Sequence, residues 1–498
     1  MDNILLITTD QQRFDTVNAW GNKSIFTPHL NYMAAMGTSY TACYTSCPIC
    51  VPSRTTIMTG AEGFESGVTS NASHEAFMQK CMGNRTTLPA LLTDAGYQTC
   101  AKGKMHFAPA RAHYGFEHMR LPLDYMREYD RKQPLARPKV HGIGECEMEP
   151  VLSTVEEKDS ITTWIADEAI DFLETRDTTR PFFLWTSFTK PHPPFDPCRN
   201  YWELYDGIPL PKPVTGDWSE TVESTPQGFL AGGYENTNMH LLGPDQIQAC
   251  RRAYYACITQ VDYQLGRIFG ALRENNLFRN TWVIFTSDHG EMLGDHHMSQ
   301  KNLFFEGSAH VPLLIMPPQG RNIPHNLQTD CPVSLADLYP TILAMAGLSV
   351  PREHSGNAAS SCSSQTGPSA PGTFSGRNLL SSSSLNEDRI FFGNSLNRNF
   401  CVMERKLKLI YSAVGNHALL FDLNRDPQEK HDLSHAPEYT EAFLRLWRLL
   451  AEYTACYTPE ALTEDGCFRT YDAPRFPGDM PGRWFGFHYH DYSVDTFH

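Results

Sequence analysis

Asn3-Ile4-Leu5-Leu6-Ile7-Thr8-Thr9-Asp10-Gln11-Gln12 opens the chain on an apolar run that ends in an acid and two amides. A short, continuous apolar run marks a strand buried on both faces, as in a parallel sheet covered by helices. In open α/β sheets ligands bind outside the carboxyl ends of the strands. Asp10 and Gln11 therefore stand at a ligand's position, with oxygens that suit a hard divalent cation. A capped turn would give the same local pattern.

The pattern recurs along the chain. A helix predicted over Thr87–Gly96 leads to a strand over Tyr97–Ala101 and then to Gly103-Lys104-Met105-His106. Pro181–Ser187 (PFFLWTS) runs into Lys190-Pro191-His192-Pro193-Pro194-Phe195, whose prolines hold the backbone around His192. Thr281–Thr286 (TWVIFT) opens into Ser287-Asp288-His289-Gly290-Glu291, where Asp288 and His289 are metal-ligand types. Lys301 and Glu306-Gly307 precede a strand over Val311–Met316. Apolar residues at helical spacing over Ile161–Thr175 and from Tyr254 to Leu272 fill the intervals, while 198–243 reads as irregular. Strand-then-helix alternation predicts an α/β fold, a large, mostly parallel mixed sheet sandwiched by helices. The polar residues collect at one edge.

One segment is reactive in type. In Ser46-Cys47-Pro48-Ile49-Cys50-Val51-Pro52-Ser53-Arg54, a helix starting near Pro52 or Ser53 and ended by Gly60 puts Cys50 just before its positive end. Free N–H groups there offer a seat to an anion. Arg54 adds a charged fork aimed at the same place. A buried cysteine beside a turn is the plainer alternative.

Composition limits the function. With 498 residues, the chain exceeds one ordinary domain, and 41% hydrophobic with 19% charged residues describes a soluble globular protein. The net charge of −15 argues against nucleic acid, so an anionic substrate needs a local basic site. No run is long enough to span a bilayer, so no membrane partner is expected. None resembles a signal peptide either; the expected location is cytoplasmic, or periplasmic if an export signal has been trimmed. Scattered over this length, 14 cysteines favour reduced thiols. Cys47 and Cys50 form a C-x-x-C pair without a second pair for zinc or the flanks of a redox motif. The glycosylation acceptors at Asn22, Asn71 and Asn84 carry no meaning without secretion.

The domains expected are 1–353; a Ser/Gly/Pro-rich flexible insertion, 354–385; a smaller C-terminal α+β subdomain, 386–463; and an aromatic-rich tail, 464–498. The subdomain is read as a short antiparallel sheet (389–392, 400–404, 407–412, 419–423) with a helix over 439–453. The tail is expected on the large domain or on a neighbouring subunit, making a homo-oligomer possible. Its His488, His490 and His498 read as surface packing rather than metal ligands.

Together these segments resemble the type I, formylglycine-dependent sulfatases of the alkaline phosphatase-like superfamily. Cys50-x-Pro52-Ser53-Arg54 with Thr59-Gly60 resembles the signature in which a separate maturase oxidises the cysteine to formylglycine. The other motifs follow in the family's order, through Leu420-Phe421-Asp422-Leu423 with Asp426-Pro427. The resemblance implies that 1–353 is the catalytic domain. It also implies that Asp10, Gln11, Asp288, His289 and the modified Cys50 bind one divalent cation, calcium in most relatives, with Mg2+ or Mn2+ possible. Many relatives carry a second Asp where Gln11 stands, and the neutral amide lowers the site's negative charge. Imidazole prefers softer metals, so His289 has the alternatives of bridging to the sulfate or orienting another ligand.

By the same resemblance, the formylglycine is hydrated to a geminal diol, one hydroxyl of which, made acidic by the metal and Arg54, attacks sulfur. His192, assisted by Lys301, protonates the leaving alcohol, and His106 takes the proton that releases sulfate. Lys104 and Lys301 neutralise the sulfuryl oxygens. The substrate-binding set implied is Lys104, His192, Lys301 and Asn71. A small anionic sulfate ester is the expected substrate, a sulfated carbohydrate fragment before an aryl or alkyl sulfate. Rival expectations are a phosphonate monoester or phosphodiester hydrolase of the same superfamily, which usually lacks the lysine and histidine of the Gly103-to-His106 motif, and a non-catalytic binding homologue.

Overall fold

A computed structural model describes residues 1–71, 86–132, 148–233, 242–351, 376–381 and 389–473. The first strand, β1 (Asn3–Asp10), is buried over all eight residues. It lies at the middle of a nine-stranded sheet with β2 (Thr38–Tyr44), β3 (Gln98–Gly103), β4 (His118–Arg120), β5 (Phe182–Pro191), β6 (Thr281–Ser287), β7 (His310–Met316), β8 (Leu327–Thr329) and β9 (Val333–Ser334). The order is β4-β3-β5-β1-β6-β7-β2-β8, with β9 beside β2. Ile4 and Leu6 pack in one layer with Ile57, Leu92 and Ile342; Leu5 and Ile7 pack in the opposite layer with Ile165, Leu265 and Ile268. This period-two split of one apolar run is the sandwich expected from the sequence.

Strand direction decides what meets at the edge. β1 is parallel to β5 and β6, with Asp10 opposite Pro191 and Thr9 opposite Ser287. The motifs following β5 and β6 therefore emerge beside Asp10. β7 runs antiparallel to both β6 and β2. The β6–β7 loop, with Lys301, and the end of β2, which leads to Cys50, consequently return to the same edge.

The small subdomain holds a four-stranded antiparallel sheet, β10 (Ile390–Ser395), β11 (Asn399–Glu404), β12 (Leu407–Ser412) and β13 (His417–Asp422), beneath the helix Thr440–Tyr457. Leu446 and Leu450 face Phe400, Val402 and Leu409 in its core.

The structure differs from the sequence expectations in four places. The helix expected from Pro52 or Ser53 begins at Cys50 itself, and Ser53 is not its cap. The long helix starts at Pro244, ahead of its apolar stripe, because Pro at the first helical position and a Gln246 carbonyl accepting the Gly243 N–H form its start. Within 198–243, Arg199–Glu203 and Gln227–Gly233 are helical, and 234–241 lies outside the described residues. The end of the insertion is pinned: Leu379 is buried, its N–H donates to Thr341 Oγ1 at 2.9 Å, and the Arg377 N–H donates to Asp337 Oδ1 at 2.7 Å. Residues 352–375 and 382–388 lie outside the described set.

The start of the tail packs on the small subdomain. Phe468 meets Phe400, Tyr411 and Trp447, and Tyr471 exchanges backbone bonds with Ala413 and Gly415. Residues 474–498, with His488, His490 and His498, lie outside the described residues. Among the described residues no helix is long and apolar enough to cross a membrane.

Candidate active site

Cys50 opens a ten-residue helix in which every residue is buried. Ile49 offers no side-chain cap, and Asn71 Oδ1 supplies one by accepting the Val51 N–H at 3.0 Å. Asn71, expected among the substrate-binding residues, is thus engaged in holding the turn that carries Cys50. At the far end Gly60 takes a left-handed φ of 66° and closes the helix with an N–H to Thr56 O bond of 2.7 Å.

Four side chains converge on the Cys50 sulfur. His289 Nε2 lies 3.2 Å from Sγ, Lys301 Nζ 3.2 Å, Asp10 Oδ1 3.8 Å and Lys104 Nζ 4.0 Å. Burial and Asp10 push the thiol's pKa up, but Lys104, Lys301 and His289 outweigh them and hold it well below the ordinary value. Cys47, three residues earlier, is pushed well above that value by burial. Only one cysteine of the C-x-x-C pair faces the charged cluster. It is also a member of the cation-ready group, in which ligand atoms of Asp10, Cys50, Asp288 and His289 all lie within 4.8 Å of one another.

The backbone explains how so many polar groups fit. Gly103 (φ 93°) ends β3 where an added Cβ would stand 2.0 Å from Ser187 O, and the next N–H, that of Lys104, donates to that carbonyl at 2.9 Å. This contact turns the Lys104 side chain onto Asp10, with which it forms an ion pair. Gly290 likewise passes Gly307 closely, and its N–H donates to Ser308 O at 2.7 Å.

Arg54 departs from its expected role. Its Nε and Nη2 reach Asp288 Oδ2 at 3.0 and 2.9 Å, and Nη1 donates to Lys104 O and Ser187 Oγ. The fork is occupied in fixing the carboxylate and the Lys104 backbone. Asp288 Oδ1 accepts the N–H groups of Gln11 at 3.1 Å and His289 at 2.9 Å. Burial and Asp10 raise the Asp288 pKa. His289 Nδ1 sits 2.9 Å from Gly290 O, which leaves Nε2 to face Cys50. Burial lowers the His289 pKa, but Asp288 and the thiol outweigh it and raise the value.

Gln11 has a left-handed backbone (φ 73°), and its Oε1 accepts from Lys301 Nζ at 2.9 Å. His192 is buried, its Nδ1 2.8 Å from Pro193 O. Burial, then Lys301 and Lys104, hold its pKa well below the usual imidazole value. His106, half-buried with φ 56°, follows Lys104 at the end of β3.

The two carboxylates and the imidazole, with the Cys50 side chain, form a donor set that fits a divalent cation, and the Gln11 amide oxygen is held by Lys301, which also reaches Cys50. Lys104, Lys301 and His289 stand around the Cys50 sulfur and the lysine charges reach His192, an arrangement suited to cleaving an anionic ester. Two participants carried no role in the sequence reading. Ser187 is an unremarked strand end, found only through strand pairing. Glu291 closes the Ser287-to-Glu291 motif, and that position was its only signal.

Known proteins resemble this chain over most of its length. The Sulfatase family model matches residues 2–348. An arylsulfatase of Clostridium perfringens is 30% identical over 481 residues, covering 90% of this chain and 93% of the relative. Among solved structures, the phosphonate monoester hydrolase of Agrobacterium radiobacter superposes with a TM-score of 0.73 at 25% identity, covering 95% and 100% of the two chains. A protein solved in complex with its substrate D-glucosamine-2-N,6-O-disulfate superposes with a TM-score of 0.68 at 22% identity, covering 92% and 98%.

Proposed function

The chain belongs to the sulfatase family, and we propose that this sulfuric ester hydrolase cleaves a sulfate monoester, first that of a sulfated carbohydrate fragment, using a formylglycine made from Cys50 and a divalent cation. The observation that carries the reading is the convergence of Lys104, Lys301 and His289 on the first residue of a buried helix, beside Asp10 and Asp288. Cys50 Sγ stands in for the oxygens of the modified side chain, which a maturase would install. Asp10, Gln11, Asp288 and His289 would hold the cation, calcium first and Mg2+ or Mn2+ as alternatives. When bound, it supplies Lewis-acid polarisation.

The remaining chemistry belongs to the chain's own groups. Lys104 and Lys301 offset the charge of the sulfuryl oxygens, and Arg54 keeps Asp288 and the Lys104 backbone in place. His192 Nδ1 faces the Pro193 carbonyl, so Nε2 is the atom that carries the transferable proton to the leaving alcohol. Burial, then Lys301 and Lys104, disfavour the charged form of this imidazole before substrate binds. An anionic substrate offsets those lysines, and proton uptake accompanies its binding. His106 is assigned the proton of the release step.

The test is a rate comparison after production alongside a maturase, using an aryl sulfate, an aryl phosphonate monoester and a panel of sulfated mono- and disaccharides. Faster sulfate cleavage is expected, with mass spectrometry showing formylglycine at position 50. The likeness to the phosphonate monoester hydrolase supports a second reading, which faster phosphonate cleavage would install in place of the first. A thiol that stays unmodified beside an active maturase would favour a non-catalytic homologue.

A further inference from the structure

Glu291 is fully buried, yet it is neither one of the proposed cation ligands nor a group of the proposed reaction. Its Oε1 accepts the N–H groups of Leu293 at 2.9 Å and Gln300 at 2.5 Å, and its Oε2 accepts from Gln11 Nε2. The other end of that amide, Gln11 Oε1, accepts from Lys301 Nζ at 2.9 Å. Gln11 thus lies between a group that only accepts and a group that only donates. Reversing the amide would set NH2 against ammonium and oxygen against carboxylate, two repulsive contacts in a buried place. The backbone of Gln11 is pinned as well, its N–H by Asp288 Oδ1 at 3.1 Å and its carbonyl by Tyr254 OH at 2.6 Å.

The same carboxylate organises the lysine. Gln300, whose N–H it accepts, and Asn302 flank Lys301 with left-handed φ values of 66° and 81°. The Asn302 N–H donates to Pro48 O at 3.1 Å, joining this loop to the segment that carries Cys50. One buried acid therefore ties the end of β1 to the Lys301 loop.

We infer that Glu291 is a positioning residue, which fixes the Gln11 amide with Oε1 toward the cation-binding group and holds the loop that presents Lys301 to Cys50. This rests on the reading that Asp10, Gln11, Asp288 and His289 hold a divalent cation. A carbonyl oxygen has two lone pairs, so Gln11 Oε1 can keep Lys301 and still serve as a ligand. Glu291 makes a neutral amide usable at a position where only its oxygen helps.

The experiment titrates Ca2+ alone into the metal-stripped full-length chain by calorimetry, for the parent, Glu291→Gln and the swap Gln11→Glu/Glu291→Gln. In Glu291→Gln the new NH2 faces Gln11 and turns the Gln11 oxygen away from the cation, so Ca2+ affinity falls about 10- to 100-fold. In the swap the carboxylate at position 11 accepts from both the new amide at position 291 and Lys301, and affinity returns to the parent's or better. A merely structural Glu291 would leave the Ca2+ affinity of the folded Glu291→Gln variant at the parent's value. Parent-like binding by Glu291→Gln, or a folded swap that binds no better than the single variant, overturns the inference alone. A parent that binds no Ca2+ overturns the cation reading and the inference with it. Should Glu291→Gln fail to fold, the swap decides: parent-like binding supports the inference, weaker binding overturns it.

Discussion

Two buried clusters of mixed charge, whose charged residues approach one another in sequence only at Lys301 and Glu306, behave differently. Where the small subdomain meets the large one, Lys408 of β12 donates to Phe304 O at 2.8 Å and Glu306 Oε1 at 2.6 Å, and pairs with Glu429 Oε1 at 2.7 Å. The Glu306 N–H donates to Glu429 Oε2 at 2.7 Å, and Glu306 Oε2 meets His310 Nδ1 at 2.6 Å and Tyr44 OH at 3.2 Å. All three ammonium donors of Lys408 find acceptors inside the protein. Burial pushes Glu429 up to about 7 against the pull of Lys408, whereas for Glu306 the cations Lys408 and His310 outweigh burial and hold it well below its usual range. In the active site Lys104 pairs with Asp10 and Lys301 donates to Gln11, and both ammonium groups also converge on the Cys50 sulfur. A closed network ties two parts of a fold together. The other gathers charge on one side chain, that of Cys50.

The contrast yields four expected outcomes, from the largest effect down. In the matured enzyme, Cys50→Ala should lower kcat at least about ten-thousand-fold while leaving the denaturant midpoint nearly unmoved. A large loss of stability in that variant would make Cys50 a structural residue. Lys408→Met leaves two buried carboxylates without their cation and should cost about 3–5 kcal/mol of unfolding free energy by urea titration, with kcat nearly kept under native conditions. Unchanged stability would break the comparison from the other side.

Lys301→Met should do the reverse, lowering kcat by about 100- to 1,000-fold with a small change in stability. Equal effects of Lys301→Met and Lys408→Met on both measurements would erase the distinction between the clusters. The smallest effect concerns His192. Its folded pKa lies below its unfolded value, so its contribution to stability is present above about pH 6.5 and is lost as pH falls through the folded pKa. The substrate-free chain should lose stability on acidification below about pH 6.5 by up to about 1.4 kcal/mol per pH unit more than His192→Gln. Parallel pH profiles for the two proteins would show that burial and the lysines do not depress this imidazole's pKa.

What could be read in the chain differs between its parts. The apolar run before Asp10, the Pro-framed His192 and the four short strands of the small subdomain were legible because burial and turn chemistry act within a few residues. The helix start was displaced, because Pro52 can occupy the first turn without beginning it and Asn71 supplies the cap from outside. Arg54 was visible as a charge, but its targets were not, since Asp288 and Ser187 are brought to it by separate strands. Glu291 stood in plain view within a motif and said nothing of its partners.

The sequence by itself determined the residue types and the family: an apolar strand delivering Asp10, a Cys-x-Pro-Ser-Arg segment, and Lys and His residues at strand ends. Tertiary structure decided the assignments among them. One reversed strand, β7, returns Lys301 and Cys50 to the edge where Asp10 and Asp288 stand. Charge interactions depend on distances of a few ångströms, and residues far apart in the chain acquire those distances only when the sheet is assembled.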